Sequence, residues 1–383
     1  MKKSRILILS IIGIIVISLG ILTWNHQSKK SGEDLTKYDY VVSFYSIHQN
    51  GKMNPQTKII FVNNDQEQLE FSDKVNKAGK LFQEGNTFRA YSFGGNKSLL
   101  FESSSGYSTF STSKGVLDSN IYTVNFALNG MNGRIEFITI DDGSTGEIRN
   151  TIQYTNPNHK VVTSPVIHAA IYHAVEIGTR LYFVGYDMVQ DRYELYYLDE
   201  ETNEVQFVDY WYHTSVEFEE LLYVNGKIIT VENPSHSRFM DEKEIPEMSS
   251  LTSMDPDTLE ANTVSLDTKR IITAYTYGGS IRVVTENNHL LEYTTDLELV
   301  SDKDLSGTDF ANLFTNTEYK LHGIRYLGKK AAAIVTPNSE TTELGKILEF
   351  DADTLTLQKS ITIPLSENIG WKTDFADLLI VEK

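Results

Sequence analysis

Ile347-Leu348-Glu349-Phe350-Asp351-Ala352-Asp353-Thr354-Leu355 is an apolar and aromatic run that stops at a knot of aspartates and restarts at Thr-Leu. Branched and aromatic side chains suit a pleated strand, and Asp bonds its own backbone in turns, so the stretch reads as a β-hairpin. Two further stretches repeat it clearly. Residues 137–148 run Phe-Ile-Thr-Ile into Asp141-Asp142-Gly143, and residues 195–205 run Leu-Tyr-Tyr-Leu into Asp199-Glu200-Glu201-Thr202-Asn203. Weaker copies occupy residues 59–69, 99–107, 251–259 and 290–297. With turn centres near Asn64, Ser104, Asp142, Asp199, Asp255, Thr295 and Asp351, the spacings are 40, 38, 57, 56, 40 and 56 residues. A period near 40 is that of one four-stranded propeller blade, and the long spacings leave roughly 16 residues each for loop insertions.

The text between the hairpins fits four strands per unit. Glycine-bearing turns precede strands at Gly178-Thr179-Arg180-Leu181, Asn225-Gly226-Lys227-Ile228 and Gly278-Gly279-Ser280-Ile281. Runs such as Ile121-Tyr122-Thr123-Val124 and Ile228-Ile229-Thr230-Val231 lack the 3.6-residue apolar period of amphipathic helices. The expected fold is all-β: a seven-bladed β-propeller over residues 38–383, preceded by one N-terminal transmembrane helix. Both ends of the propeller segment are strand-like, at residues 40–45 and 371–381, as closing a ring requires. The competing fold, a pair of β-sandwiches, predicts turns every 8–12 residues with no superperiod.

The Asp-x-x-Thr-Gly-like turns resemble those of quinoprotein-like and other bacterial seven-bladed β-propellers. The resemblance covers about 340 residues and implies architecture only. The Gly-His and Trp-Asp dipeptides of the eukaryotic repeat class are missing. With 3 Trp and no Cys, the chain also departs from quinone-binding propeller dehydrogenases, which use repeated Trp docking motifs and often a vicinal disulfide.

Residues 6–24 carry no charge and, at 1.5 Å per residue, form a helix of roughly 28 Å, close to the hydrocarbon thickness of a bilayer. Lys2, Lys3 and Arg5 before it hold the amino terminus in the cytoplasm by the positive-inside rule. The expected organisation is a cytoplasmic stub at 1–5, a signal-anchor helix at 6–24, a juxtamembrane linker at 25–37 and an extracellular propeller at 38–383, a single-pass protein of the cell membrane. Ser18-Leu19-Gly20 has the small-x-small form of a cleavage site, so secretion after signal cleavage is the alternative.

The whole chain has 52 acidic and 34 basic residues for a net charge of −18, and all of the first thirty residues' charges are basic. What remains outside carries 29 bases against 52 acids, which repels nucleic acid and anionic lipid and favours a cationic or neutral partner. The absence of cysteine excludes disulfides, thiolate metal sites and a cysteine nucleophile.

No catalytic residue is predicted, because the sequence holds no Gly-x-Ser-x-Gly elbow, Walker loop or His-Glu-x-x-His helix. No cofactor and no metal are expected either. The Asp-rich turns lack the remainder of an EF-hand loop, and turn formation accounts for them. Five of nine histidines lie between His159 and His236. His168 and His173, five apart, fall on opposite faces of a continuous strand, which makes them a poor local metal pair. Residues 168–175 are the candidate innermost strand of their blade, and His213 occupies the equivalent stretch one unit later, so both reach the channel mouth. The polar insertion at residues 233–250 contains two prolines and offers His236, Arg238 and Phe239 as contacts. Candidate ligand-binding residues are therefore His168, His173, His213, His236, Arg238 and Phe239. The expected function is a binding or assembly module for an envelope protein, peptide or glycan. The alternative is a hydrolase or lactonase that holds a divalent ion with channel carboxylates and His168, His173 or His213.

Overall fold

The computed structural model describes residues 34–49, 52–73, 78–92, 98–102, 106–110, 121–141, 149–187, 192–209, 216–234, 247–339, 341–365 and 374–383. Within them the chain forms seven four-stranded antiparallel sheets. The first strands of the blades surround a central channel, and those of blades one and two, two and three, four and five, five and six, and seven and one abut. The first strands are Ala78–Glu84, Ile121–Gly130, Ala170–Ile177, Val216–Val224, Ile271–Tyr277, Tyr319–Leu327 and Asp374–Ile380. The fold is a seven-bladed β-propeller. Among the described residues one α-helix interrupts it, Asp309–Thr315, capped by the Thr308 hydroxyl accepting from the Ala311 N–H at 3.3 Å.

Blade one closes the ring from both chain ends. Its order places Asp374–Ile380 innermost, followed by Tyr40–Gln49, Lys52–Val62 and Gln68–Asp73. Val381 N donates to Asp39 O at 2.9 Å, and Lys383 Nζ lies 2.8 Å from the Asp39 carboxylate. Glu382 and Gln83 exchange two bonds of 2.8 Å each, which ties the C-terminal segment onto blade two.

Six of the seven hairpins read from the sequence join the third and fourth strands of their blades. The seventh does not: Asp141–Asp142–Gly143 leads from the second strand of blade three (Gly133–Asp141) to its third (Arg149–Thr155). The corresponding turn of that blade is Asn156-Pro157-Asn158-His159-Lys160. A common device identifies these turns. A side-chain oxygen at the end of the third strand accepts backbone N–H groups two to four residues on, an Asx turn. Asn63 serves Asp65 and Glu67, Asn156 serves Asn158 and Lys160, and Asp199 serves Glu201 and Thr202. Asp255 and Asp351 bond in the same way to residues two and three further on. Each turn then passes through one left-handed residue: Gln66, His159, Asn203, Leu259, Leu297 or Leu355, with φ between 54° and 66°.

The same turns stitch blade to blade. Tyr154 donates to Asn203 Oδ1 at 3.0 Å, Tyr182 to Pro256 O at 2.9 Å, Ser253 to Thr295 O at 2.6 Å and Tyr275 to Ala352 O at 2.8 Å. In each case a hydroxyl from one blade satisfies the turn of the next. Beneath these bonds the apolar faces of adjacent sheets pack together. Phe61 of blade one meets Phe88 and Phe101 of blade two edge-on at 5.2 and 5.6 Å, all three fully buried. Such pairs add about 0.5–1.5 kcal/mol beyond the area they bury. Tyr40, Val42 and Phe44 pack with Ala332, Ile334 and Ile347 of blade seven on the other side.

In every blade the innermost strand breaks register with its neighbour near its own start. The unpaired extra residue is Asn125, Tyr172, Glu219, Ile272, His322 or Ala376, and in blade two the pair Gly79-Lys80. Bulges re-aim side chains. Because antiparallel strands alternate in direction, all these breaks lie toward one face of the ring, the face where the innermost strands begin. The Asx turns lie toward the other.

No helix among the described residues is long and apolar enough to cross a membrane. The span expected at residues 6–24, the stub before it and most of the linker after it lie outside the described residues.

Candidate functional site

Polar and charged groups on the innermost strands of five of the seven blades face one another around the channel. His173 Nδ1 of blade four lies 3.3 Å from Glu220 Oε1 of blade five. Glu220 also acts electrostatically on Arg325 of blade seven. Arg325 Nη2 donates to Asp377 Oδ1 of blade one at 2.8 Å, and its Nε donates to Leu378 O at 3.3 Å. Asp377 accepts from the Leu81 N–H of blade two at 3.0 Å and faces Lys80 Nζ at 3.9 Å. Burial pulls the Arg325 pKa down, but Asp377 and Glu220 outweigh it and the net shift is upward. A guanidinium is charged at any working pH, so it is a fixed positive point in the channel wall.

The bulges set what stands at the mouth. Tyr172, the extra residue of its strand, is 51% exposed and its ring lies 6.2 Å from that of Tyr193, which lies 4.9 Å from Tyr186. The three rings come from the start of the first strand, the end of the second and the start of the third strand of blade four, all toward one face. His322, the extra residue in blade seven, places Nε2 2.6 Å from Thr336 Oγ1 and its ring 5.1 Å from Phe375. Burial, followed by the charge of Lys320, lowers its pKa and favours the neutral imidazole, with Asp374 opposing.

On the opposite face a second carboxylate site joins blades three and four. Glu176 Oε2 accepts from the Met131 N–H at 2.6 Å, and Glu200, which is 1% exposed, lies within the electrostatic reach of Glu176. Burial, and after it the charge of Glu176, pushes the Glu200 pKa up to about 7. Two carboxyls in contact share a proton more readily than they both ionise.

The structure redistributes the residues expected from sequence. His173 stands in the channel wall as expected, but the innermost strand starts at Ala170, so His168 precedes it and is exposed. Counting alternate faces from His168 to His173 therefore fails twice, because His168 is off the strand and the Tyr172 bulge reverses the alternation. His213, His236, Arg238 and Phe239 lie outside the described residues. Among the described residues no three His, Asp or Glu side chains converge as a metal site, so the metal-dependent hydrolase alternative has no described ligand set. Sequence reading passed over Tyr172, Glu220, His322, Arg325 and Asp377. They are spread over blades four, five, seven and one, and the Glu220, Arg325 and Asp377 contacts join strands far apart in the chain, so no local spacing marks them.

No family model matches this chain and no curated protein is similar to it. Solved structures are similar in shape. A cobalt-substituted apocarotenoid oxygenase from Synechocystis shares 8% identity over 91% of this chain and 94% of its own, with a TM-score of 0.52. A streptogramin B lyase gives 14% identity over 76% and 84% with a TM-score of 0.46. BamB from Moraxella catarrhalis gives 12% over 79% and 80% with a TM-score of 0.44. At these identities the likeness is one of fold alone: this chain is a seven-bladed β-propeller that matches no single named family.

Proposed function

We propose that this chain is a binding or assembly module, displayed outside a bacterial membrane by an N-terminal signal-anchor helix, whose partner is an envelope protein, peptide or glycan. The observation that carries the binding reading is the mouth of blades four and five. There Tyr172 stands half-exposed on a bulge over Tyr193 and Tyr186, beside the His173–Glu220 pair. Clustered tyrosines give large amphipathic contact area at little entropic cost, and their position on a braced strand preorganises them. The apolar run at residues 6–24 and its basic flank support the anchor.

Two measurements test this reading. A photo-crosslinking amino acid placed at Tyr186 in intact cells should capture a discrete partner, and Tyr172→Ala with Tyr193→Ala in the same chain should abolish capture while the thermal melt is retained. Capture that survives both substitutions would remove the mouth from the argument. Protease added to intact cells should degrade the propeller; protection of it would overturn the outward topology.

A further inference from the structure

A second recessed site lies on the same face of the ring, in the sector of blades six and seven. The helix Asp309–Thr315, inserted between the last strand of blade six and the first of blade seven, helps to enclose a cavity of about 480 Å³. That volume is in the range of small-ligand and side-chain pockets. Ile272, Phe314 and Leu321 supply apolar wall, and among the described residues Arg270 and Lys320 are its only charged lining.

The charge is out of character for the molecule. In a chain of net charge −18 no carboxylate among the described residues lines this cavity. Several other cations on the innermost strands and blade seams are matched: Arg134 with Glu136, Arg192 with Glu194, Arg282 with Asp353, Arg325 with Asp377 and Lys346 with Glu343. Neither Arg270 nor Lys320 makes an ion pair with a described residue. The positive field of Lys320 is felt at His322, one strand position beyond Leu321, where it works against protonation. Asn316 supplies a further polar group: its Oδ1 is occupied by the N–H groups of Glu318 and Tyr319, which leaves its amide NH₂ as a donor.

We infer that this cavity is a binding site for an acidic peptide segment, which inserts an apolar side chain against Ile272, Phe314 and Leu321 and presents carboxylates to Arg270 and Lys320. An apolar wall flanked by two unmatched cations and an amide donor complements an apolar residue flanked by carboxylates and a backbone carbonyl. A peptide is favoured over an anionic membrane surface because the apolar wall and two cations fit one side chain with its acidic neighbours, whereas a chain of net charge −18 is repelled by an extended anionic surface. The inference goes beyond the docking at blades four and five and stands or falls without it.

Fluorescence polarisation with the full chain in detergent would test it. The probe is a fluorescein-labelled Gly-Asp-Leu-Phe peptide with a free carboxylate, compared with its Gly-Asn-Leu-Phe amide. The acidic probe should bind roughly tenfold more tightly than the neutral one at low salt, because two exposed ion pairs contribute up to about 1 kcal/mol each. The Arg270→Ser/Lys320→Ser double variant should lose that preference with an unchanged melt, and Phe314→Ala should weaken both probes. Equal binding of the two probes, or a preference that persists in the double variant, would overturn the proposal. So would an Arg270- and Lys320-dependent attachment to phosphatidylglycerol vesicles with no peptide binding, which would assign the cations to a lipid surface.

Discussion

Asp377 accepts the Arg325 guanidinium at 2.8 Å, joining blades seven and one across the seam that closes the ring. The carboxylate is only 6% exposed, whereas the guanidinium side chain is 49% exposed. The aspartate also holds the backbone N–H of Leu81 on blade two, so a single side chain spans three blades. Replacing Asp377 with Ala orphans that N–H together with the charge it matched. The expected loss is about 2–3 kcal/mol, read as a lower urea midpoint at constant m-value. Arg325→Gln should cost less, since the Gln amide can still donate to Asp377 and leaves the Leu81 N–H satisfied.

The Glu176–Glu200 pair makes stability depend on pH. Glu200 has a folded-state pKa raised to about 7 from an ordinary 4.5, so the folded chain holds a proton that the unfolded chain releases. Its contribution is complete below about pH 4.5 and is lost as pH rises through 7. Melting temperatures measured from pH 5 to 8.5 should fall across that window. Glu200→Gln should flatten the profile and stabilise the protein at pH 8.5, by on the order of 2 kcal/mol. An unchanged profile in the variant would show that the slope comes from other groups.

The left-handed leucines separate strain from packing. Leu259 has φ 61° and is 43% exposed, while Leu355 has φ 54° and is 1% exposed in the cluster with Phe310 and Phe350. A left-handed conformation costs an ordinary residue about 1–2 kcal/mol, which Asn tolerates better. Asn203 already fills this turn position in blade four. Leu259→Asn should therefore gain roughly 0.5–1 kcal/mol. Leu355→Asn should lose stability, because the buried contact outweighs the strain relieved. Chemical denaturation of the two variants checks the opposite signs.

Glycines in blade seven give a sharper contrast. A Cβ on Gly345 would stand 2.6 Å from Val335 O, a backbone atom, whereas one on Gly323 meets nothing within 4 Å. Gly345→Ala should cost about 1–3 kcal/mol through forced backbone movement, and Gly323→Ala should be near neutral or stabilising. Equal melting temperatures would show that the third strand of this blade yields more easily than its packing implies.

The blade count was legible because the turns write themselves into the sequence as Asx residues followed by small or branched ones. It was assigned to one wrong place. Asp141-Asp142-Gly143 looks like the repeat, whereas Asn156-Pro157-Asn158-His159 makes the Asx bonds, and a proline in the turn disguises the pattern. With Asn156 in its place, the fourth turn follows the third at 43 residues, and the long spacing before it falls on blade three. The site was much less legible. Channel residues arrive one or two from each of five blades, and the bulges at Tyr172, Glu219 and His322 reverse the alternation by which a strand is read. His173 was found because it lies in a histidine-rich stretch. Its partner Glu220 and the Arg325–Asp377 seam have meaning only after the ring has closed.

The order of synthesis gives the innermost placement of Asp374–Ile380 a further consequence. Of all the strands described, this one is made last, so the other 27 emerge while Tyr40–Gln49 still offers a bare hydrogen-bonding edge. A nascent chain in that condition invites pairing with a neighbour's strand. Ribosome stalling or proteolytic trimming that removes the final ten residues would release a horseshoe rather than a hoop, prone to exchanging segments with its copies.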